Sequence, residues 1–342
     1  MLVLMKVGAT AEEIQTVVDI IKKRGVEPLV LPGEPRKAVG IPGSLSHDER
    51  IDLESVLGRL EFVSKITQTS SPFKLASLEF HPQKTVVTVK GTTIGPGHFV
   101  VMGGPCSVES YEQFKAAAEI VKSAGATVLR GGAFKPRTSP YSFQGLQQAG
   151  LEIIRQVSIE TGLATITEVM SADLVETVAE HVDILQIGAR SMQNFPLLIE
   201  AGKSGKPVFL KRGPSATIDE WLLASEYILN QGNPNVILCE RGVIPVDRTY
   251  SRNTLDLNAV PAVKSLSHLP IIVDPSHGTG VAKFVSPLAK ASLMAGADGV
   301  MIEMHPDPRE ALSDGSQALE PTEFTNLVNE LRKLAEFSGI KM

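Results

Sequence analysis

The chain has 342 residues, of which 43% are hydrophobic and 21% charged, and its formal net charge is -5. That composition excludes a disordered chain and provides for one large core with a second, smaller one. It contains no Lys/Arg run of five or more and no stretch near the roughly 20 apolar residues of a membrane span, so neither nucleic acid nor a membrane is expected as a partner.

Residues 1–68 read in order as a strand in "LVLMKV", a helix from Thr10 to Arg24, strands in "VEPLVL" and "KAVGI", a helix in "DERIDLESVLG" and a strand in "FVSKIT". Ile14, Val17, Val18 and Ile21 recur at helical spacing, and Gly25 stands where that helix should stop. The βαββαβ order predicts a small ferredoxin-like domain. It holds no metal-ligand cluster, phosphate loop or nucleophile motif, so it suits regulation or assembly. Small polar residues and a proline in "TQTSSPFK" predict a linker and "TVVTVKGTTIG" a hairpin, which together occupy residues 69–97.

From residue 98 to 342 short apolar runs alternate with helical patterns. The runs are "FVVMGG", "TVLRGG", "ATITEV", "DILQIG", "PVFLKRG", "VILCERG", "PIIVDPSH" and "GVMIEMHP", eight in all. Ser110 with Gln113 and Thr217 with Glu220 resemble capping boxes, and Gly125 and Gly232 stand at helix ends. Apolar strands separated by helices predict a parallel sheet covered on both faces. Eight such units predict an α/β fold closed into a (β/α)8 TIM barrel.

In a barrel of this kind the carboxyl ends of the strands build the site, so the residues just after each apolar run are the ones to inspect. Arg130, Lys135, Arg137, Arg190, Lys211 and Arg241 all occupy such positions. Six cations converging on one mouth would repel one another without counter-charge, which predicts a pocket for phosphorylated or carboxylated small molecules. The guanidinium fork binds either anion through two parallel hydrogen bonds, and neighbouring glycines let backbone N–H groups approach it closely. Lys211 also suits a Schiff-base lysine, which would have to be neutral to attack.

Cys106, His277, Glu303 and Asp314 belong to the same mouth. Sulfur, nitrogen and carboxylate oxygen together suit a divalent transition ion, with a position left for water or a carbonyl. Cys239, without an acidic or histidine neighbour in the pattern, reads as core, and His305, two residues after Glu303, is the weaker candidate. His47, His81, His98, His181 and His268 carry no motif. Two cysteines far apart in a chain with a large core need no disulfide, so a reducing cytoplasm is the expected location.

Read in order, "GGPCSVES", "RGGAFKPRTSPYSFQG", "QIGAR", "LKRG", "CERG", "VDPSHGTG" and "HPDP...ALSDG" closely resemble the 3-deoxy-D-arabino-heptulosonate 7-phosphate (DAHP) synthases of the shorter bacterial and archaeal subtype. The resemblance covers residues from about 80 onward, and the first domain is similar to the ferredoxin-like extension of part of that subtype. It implies condensation of phosphoenolpyruvate with erythrose 4-phosphate, with entry of water and loss of phosphate, as the first step of the shikimate pathway. On this chain it implies one divalent ion (manganese, iron, cobalt or zinc) on Cys106, His277, Glu303 and Asp314. It implies phosphoenolpyruvate on Arg130, Lys135, Arg190, Lys211 and Arg241, and the aldose phosphate on Arg137, Thr138 and Ser139 of "KPRTS". Lys135 would donate the proton to the new alkoxide, and Glu168 would position water.

Similar in fold and chemistry are the 3-deoxy-D-manno-octulosonate 8-phosphate synthases, which use arabinose 5-phosphate and whose loop resembles "KANRS". "KPRTS" favours the four-carbon aldose. A barrel reduced to a scaffold under an effector-binding domain is the third reading, and the complete set of strand-end groups weighs against it. The family resemblance further implies a homotetramer and feedback inhibition by an aromatic amino acid through the first domain, although "EPLVLPGEP" offers few polar side chains for such a ligand.

Overall fold

Strands form two separate sets, one within Met1–Gln83 and one within Lys84–Met342. The computed structural model describes residues 1–31, 37–43, 45–67, 71–135, 139 and 141–342. In the first set, β1 (Leu2–Met5) pairs antiparallel with β3 (Ala38–Gly40) and with β4 (Val63–Thr67), and β2 (Leu29–Leu31) adds to β3. The resulting order, β2-β3-β1-β4, is that of the ferredoxin-like fold.

Both helices of this unit begin on a capping box. Thr10 accepts the Glu13 amide and returns its own to the Glu13 carboxylate at the start of α1 (Ala11–Lys22), and Ser46 with Glu49 repeats this at α2 (His47–Leu57). Ile14, Val17, Val18 and Ile21 of α1 pack with Val3, Met5, Val39, Leu53 and Leu57 into one core. The unit runs on to Gln83, with Phe73 and Phe80 buried in it.

The second unit opens with a hairpin, β5 (Val87–Val89) and β6 (Thr92–Ile94), turned through Lys90 and Gly91 at φ 44° and 79°. A left-handed lysine costs energy that the contacts of its ammonium offset: Nζ lies 3.0 Å from Asp183 Oδ2 and donates to Ser158 Oγ at 2.6 Å. Eight parallel strands follow and close on themselves: β7 (Val100–Gly104), β8 (Val128–Arg130), β9 (Ala164–Glu168), β10 (Ile184–Ile187), β11 (Val208–Lys211), β12 (Val236–Glu240), β13 (Ile271–Val273) and β14 (Gly299–Glu303). Closure sets Gly299 opposite Val100 and Glu303 opposite Gly104. The fold is therefore the TIM barrel expected from eight apolar runs.

Between the strands run α3 (Tyr111–Ala124), α4 (Gln148–Thr161), α5 (Val175–His181), α6 (Phe195–Lys203), α7 (Ile218–Leu229) and α8 (Ala259–Leu266). The short α9 (Pro275–Thr279) with α10 (Ala282–Met294) follows β13, and α11 (Pro321–Phe337) follows β14. Thr217 and Glu220 form the full capping box at α7. At α3 the box is only half made, because the Gln113 side chain reaches back to the amide of Glu109 instead of Ser110. Val87, Val89 and Ile94 join Val100, Met102, Phe209 and Met301 in one buried cluster, so the hairpin closes the end where the strands begin. The opposite end stays free for chemistry.

Candidate active site

A cavity of about 110 Å³ opens at the carboxyl ends of the barrel strands, and Arg130, Lys135, Arg190, Lys211 and Arg241 all line it. Arg130 and Lys135 arrive from β8 and the loop after it, and Arg190, Lys211 and Arg241 from β10, β11 and β12 or the loops after them, so barrel closure brings the four groups together. Arg130, Lys135 and Lys211 are buried, Arg241 is partly buried and Arg190 is exposed. Arg137 and Thr138 lie outside the described residues, and Ser139 is exposed.

Two of these cations already hold carboxylates, which corrects the expectation of a mouth without counter-charge. Arg130 Nη1 donates to Glu303 Oε1 at 2.8 Å, and Lys211 Nζ donates to Asp274 Oδ2 at 2.7 Å. The acids come from the ends of β13 and β14, each two strands away from its partner, a pairing that no local pattern reveals. Arg190 and Arg241 have no ion-pair partner among the described residues. Burial pushes the Arg241 guanidinium below its usual range against the opposing pull of Asp274.

Beside these cations, donor atoms of Cys106, Glu303 and Asp314 lie within 4.8 Å of one another. His277 Nε2 approaches Glu303 Oε1 at 3.3 Å, and its Nδ1 is held 2.8 Å from Asp274 Oδ2. Cys106 Sγ sits 3.1 Å from Asp314 Oδ2 and 3.0 Å from Lys135 Nζ. Asp314 holds a left-handed backbone, φ 53°, and such strain gathers at functional sites. Burial would raise the Glu303 carboxyl, but His277 and Arg130 outweigh it and hold the group ionised. Burial also lowers His277 despite the opposing pull of Asp274 and Glu303, and it pushes the Cys106 thiol up to about 11. A mixed sulfur, nitrogen and carboxylate set with a second carboxylate behind the histidine fits a divalent transition ion.

Several residues of the site are not singled out in the sequence, Asp274 among them although it stands at the end of β13. Asp274 is fully buried behind His277 and Lys211. Gln317 Nε2 donates to Glu303 Oε2 at 2.5 Å, and Arg252 approaches Asp314 Oδ1 at 3.8 Å from the β12–α8 loop. Gln186 Nε2 donates to Glu168 Oε2 at 3.1 Å; a glutamine inside the apolar run "DILQIG" was a visible signal. Cys239 packs in the barrel core, as expected. His305 accepts the Asp307 amide on Nδ1 and sets Nε2 at 3.5 Å from Glu109.

Gly104 and Gly132 serve the scaffold. A Cβ on Gly104, whose φ is 142°, would fall 2.1 Å from the Arg130 carbonyl oxygen. The Gly132 amide donates to Cys106 O at 3.1 Å. Close strand spacing uses the freedom that the sequence shows.

Over residues 81–337 the chain matches the DAHP synthetase I family, and over residues 1–70 the DAHP synthase ferredoxin-like domain. It is 45% identical to phospho-2-dehydro-3-deoxyheptonate aldolase of Thermotoga maritima over 342 residues, 100% of both chains. A crystal structure of phospho-2-dehydro-3-deoxyheptonate aldolase (DAHP synthase) from Thermotoga maritima superimposes with a TM-score of 0.79 at 44% identity, covering 99% of this chain and 98% of the other. The 2-dehydro-3-deoxyphosphooctonate aldolase of Syntrophobacter fumaroxidans is 33% identical over 261 residues, 71% of this chain and 89% of its own.

Proposed function

The chain belongs to the DAHP synthetase I family, and on that footing we propose how its residues divide the work of the reaction. It catalyses the condensation of phosphoenolpyruvate with erythrose 4-phosphate and water, yielding 3-deoxy-D-arabino-heptulosonate 7-phosphate and inorganic phosphate. The observation that carries the assignment of roles is one cavity lined by five of the expected cations together with His277 and Asp314, with donor atoms of Cys106 and Glu303 clustered beside that of Asp314.

Phosphoenolpyruvate carries both a phosphate and a carboxylate, and Arg130, Lys135, Arg190, Lys211 and Arg241 suit them as forks and point charges. The unpaired Arg190 and Arg241 take the first share of that charge. Arg137, Thr138 and Ser139 hold the phosphate of the aldose, fixing its aldehyde near the enol carbon. Cys106, His277, Glu303 and Asp314 hold one divalent ion, manganese, iron, cobalt or zinc according to availability. When bound, such an ion supplies polarisation of the aldehyde carbonyl. Lys135 Nζ, 3.0 Å from Cys106 Sγ, stands where it can hand a proton to the new alkoxide oxygen. Glu168, oriented by Gln186, positions the water.

The product leads into aromatic amino acid synthesis through the shikimate pathway. We assign residues 1–68 to binding of an aromatic amino acid effector and the chain to a homotetramer in the cytoplasm. Inhibition by tyrosine and phenylalanine should weaken in a variant lacking those residues, and unchanged inhibition removes the domain from that role.

The decisive experiment measures phosphate release after chelation and after refilling with divalent metal, with erythrose 4-phosphate and arabinose 5-phosphate in parallel. Activity should vanish with the chelator, return with metal and favour the four-carbon aldose. Full turnover of metal-free protein overturns the ligand assignment, and preference for arabinose 5-phosphate overturns the substrate.

A further inference from the structure

One oxygen of Asp274 serves two groups with different tasks. Oδ2 accepts from Lys211 Nζ at 2.7 Å and lies 2.8 Å from His277 Nδ1, while Oδ1 accepts the His277 amide at 3.0 Å and caps α9. The Asp274 side chain is 0% exposed and that of Lys211 4%, so water has little access to the pair. Two donors on one oxygen polarise the same electron density, and each therefore weakens the other's bond.

We propose that Asp274 is a positioning residue that couples the cation site to the anion site, so that metal and phosphoenolpyruvate each tighten the other's binding. The inference rests on the reading above, in which His277 holds the metal and Lys211 the anion. An anion that draws Lys211 away leaves the full charge of Asp274 on His277. This fixes the proton on Nδ1 and makes Nε2 the better electron-pair donor. Conversely, a cation at Nε2 acidifies the Nδ1–H group, strengthens its bond to Asp274 and releases Lys211 toward the substrate. Linkage makes the two factors equal.

A second bridge, from Arg130 to Glu303, acts directly on a proposed ligand. Asp274 belongs to neither proposed ligand set, and Asp274→Asn alters the coupling without removing a ligand. Asparagine is also a good helix N-cap, so Oδ1 can keep its role at α9. Its amide would put donors where Lys211 and His277 need an acceptor.

Manganese is titrated into metal-free full-length protein with and without phosphoenolpyruvate. In the native chain phosphoenolpyruvate should tighten manganese by about five-fold or more, a range common for coupled sites. In Asp274→Asn that ratio should shrink toward one, with manganese itself bound about ten-fold or more weakly. Equal ratios in the native chain and a folded Asp274→Asn overturn the proposal. Should the variant not fold, the ¹⁵N resonance of His277 Nδ1 in the metal-free native chain decides: it should move when phosphoenolpyruvate binds, and a fixed resonance with the ligand bound overturns the link. Lys211→Met separates the two readings, because undiminished phosphoenolpyruvate binding there removes Lys211 from the anion site itself.

Discussion

Cys106 carries the clearest chemical signature of any single residue. Its thiol, pushed up to about 11 by burial and then by Glu303, is protonated at neutral pH, whereas a metal takes the thiolate. With Cys106 in the proposed ligand set, ion binding expels that proton, so affinity should rise with pH, by up to about ten-fold per unit, and fall as acid returns the proton. Competition with a metal-sensitive dye at several pH values checks the slope, and Cys106→Ser should flatten it while sharply lowering metal-dependent turnover. Gly104 makes the opposite point, since its importance is steric. Gly104→Ala drives a methyl against the Arg130 carbonyl at a backbone angle that alanine resists, and denaturant unfolding should show a loss on the order of 3 kcal/mol.

At the level of elements, start signals were legible because a cap is a local affair. Thr217 and Glu220 read as a box and form one, and Thr217→Ala should cost about 1 kcal/mol in unfolding experiments. Ser110 with Gln113 carries the same signature, yet Gln113 turns to Glu109, a choice that the spacing of residues leaves open. The hairpin was visible as a hairpin, but its place was not. Its Ile94 is fully buried among residues from the strand beginnings, and Ile94→Ala should cost about 2–5 kcal/mol in thermal or urea unfolding. Turnover per folded molecule should change little, because the candidate active site lies at the other end of the barrel.

For the whole molecule, acid is the informative stress. Asp274 and Glu303 are buried, which alone would raise them, but His277 with Lys211 and His277 with Arg130 hold them low. Carboxyls lowered on folding stabilise the native state above their unfolded value near 4, and that contribution is lost as pH falls through the lower folded values. Urea unfolding followed through the buried Trp221 of the barrel should show stability dropping below about pH 5, with a shallower drop in Asp274→Asn.

By itself the sequence determined the number and order of barrel strands, the ferredoxin-like pattern ahead of them and the residue types at each strand end. These follow from period, punctuation and alternation along the chain. Tertiary structure alone decided that Arg130 meets Glu303, that Lys211 and His277 share Asp274, and that the hairpin seals the far end of the barrel. The physical reason is that each of these contacts joins different strands or loops, and a closed barrel sets the distance between such groups by register and curvature, quantities that no local stretch of residues contains.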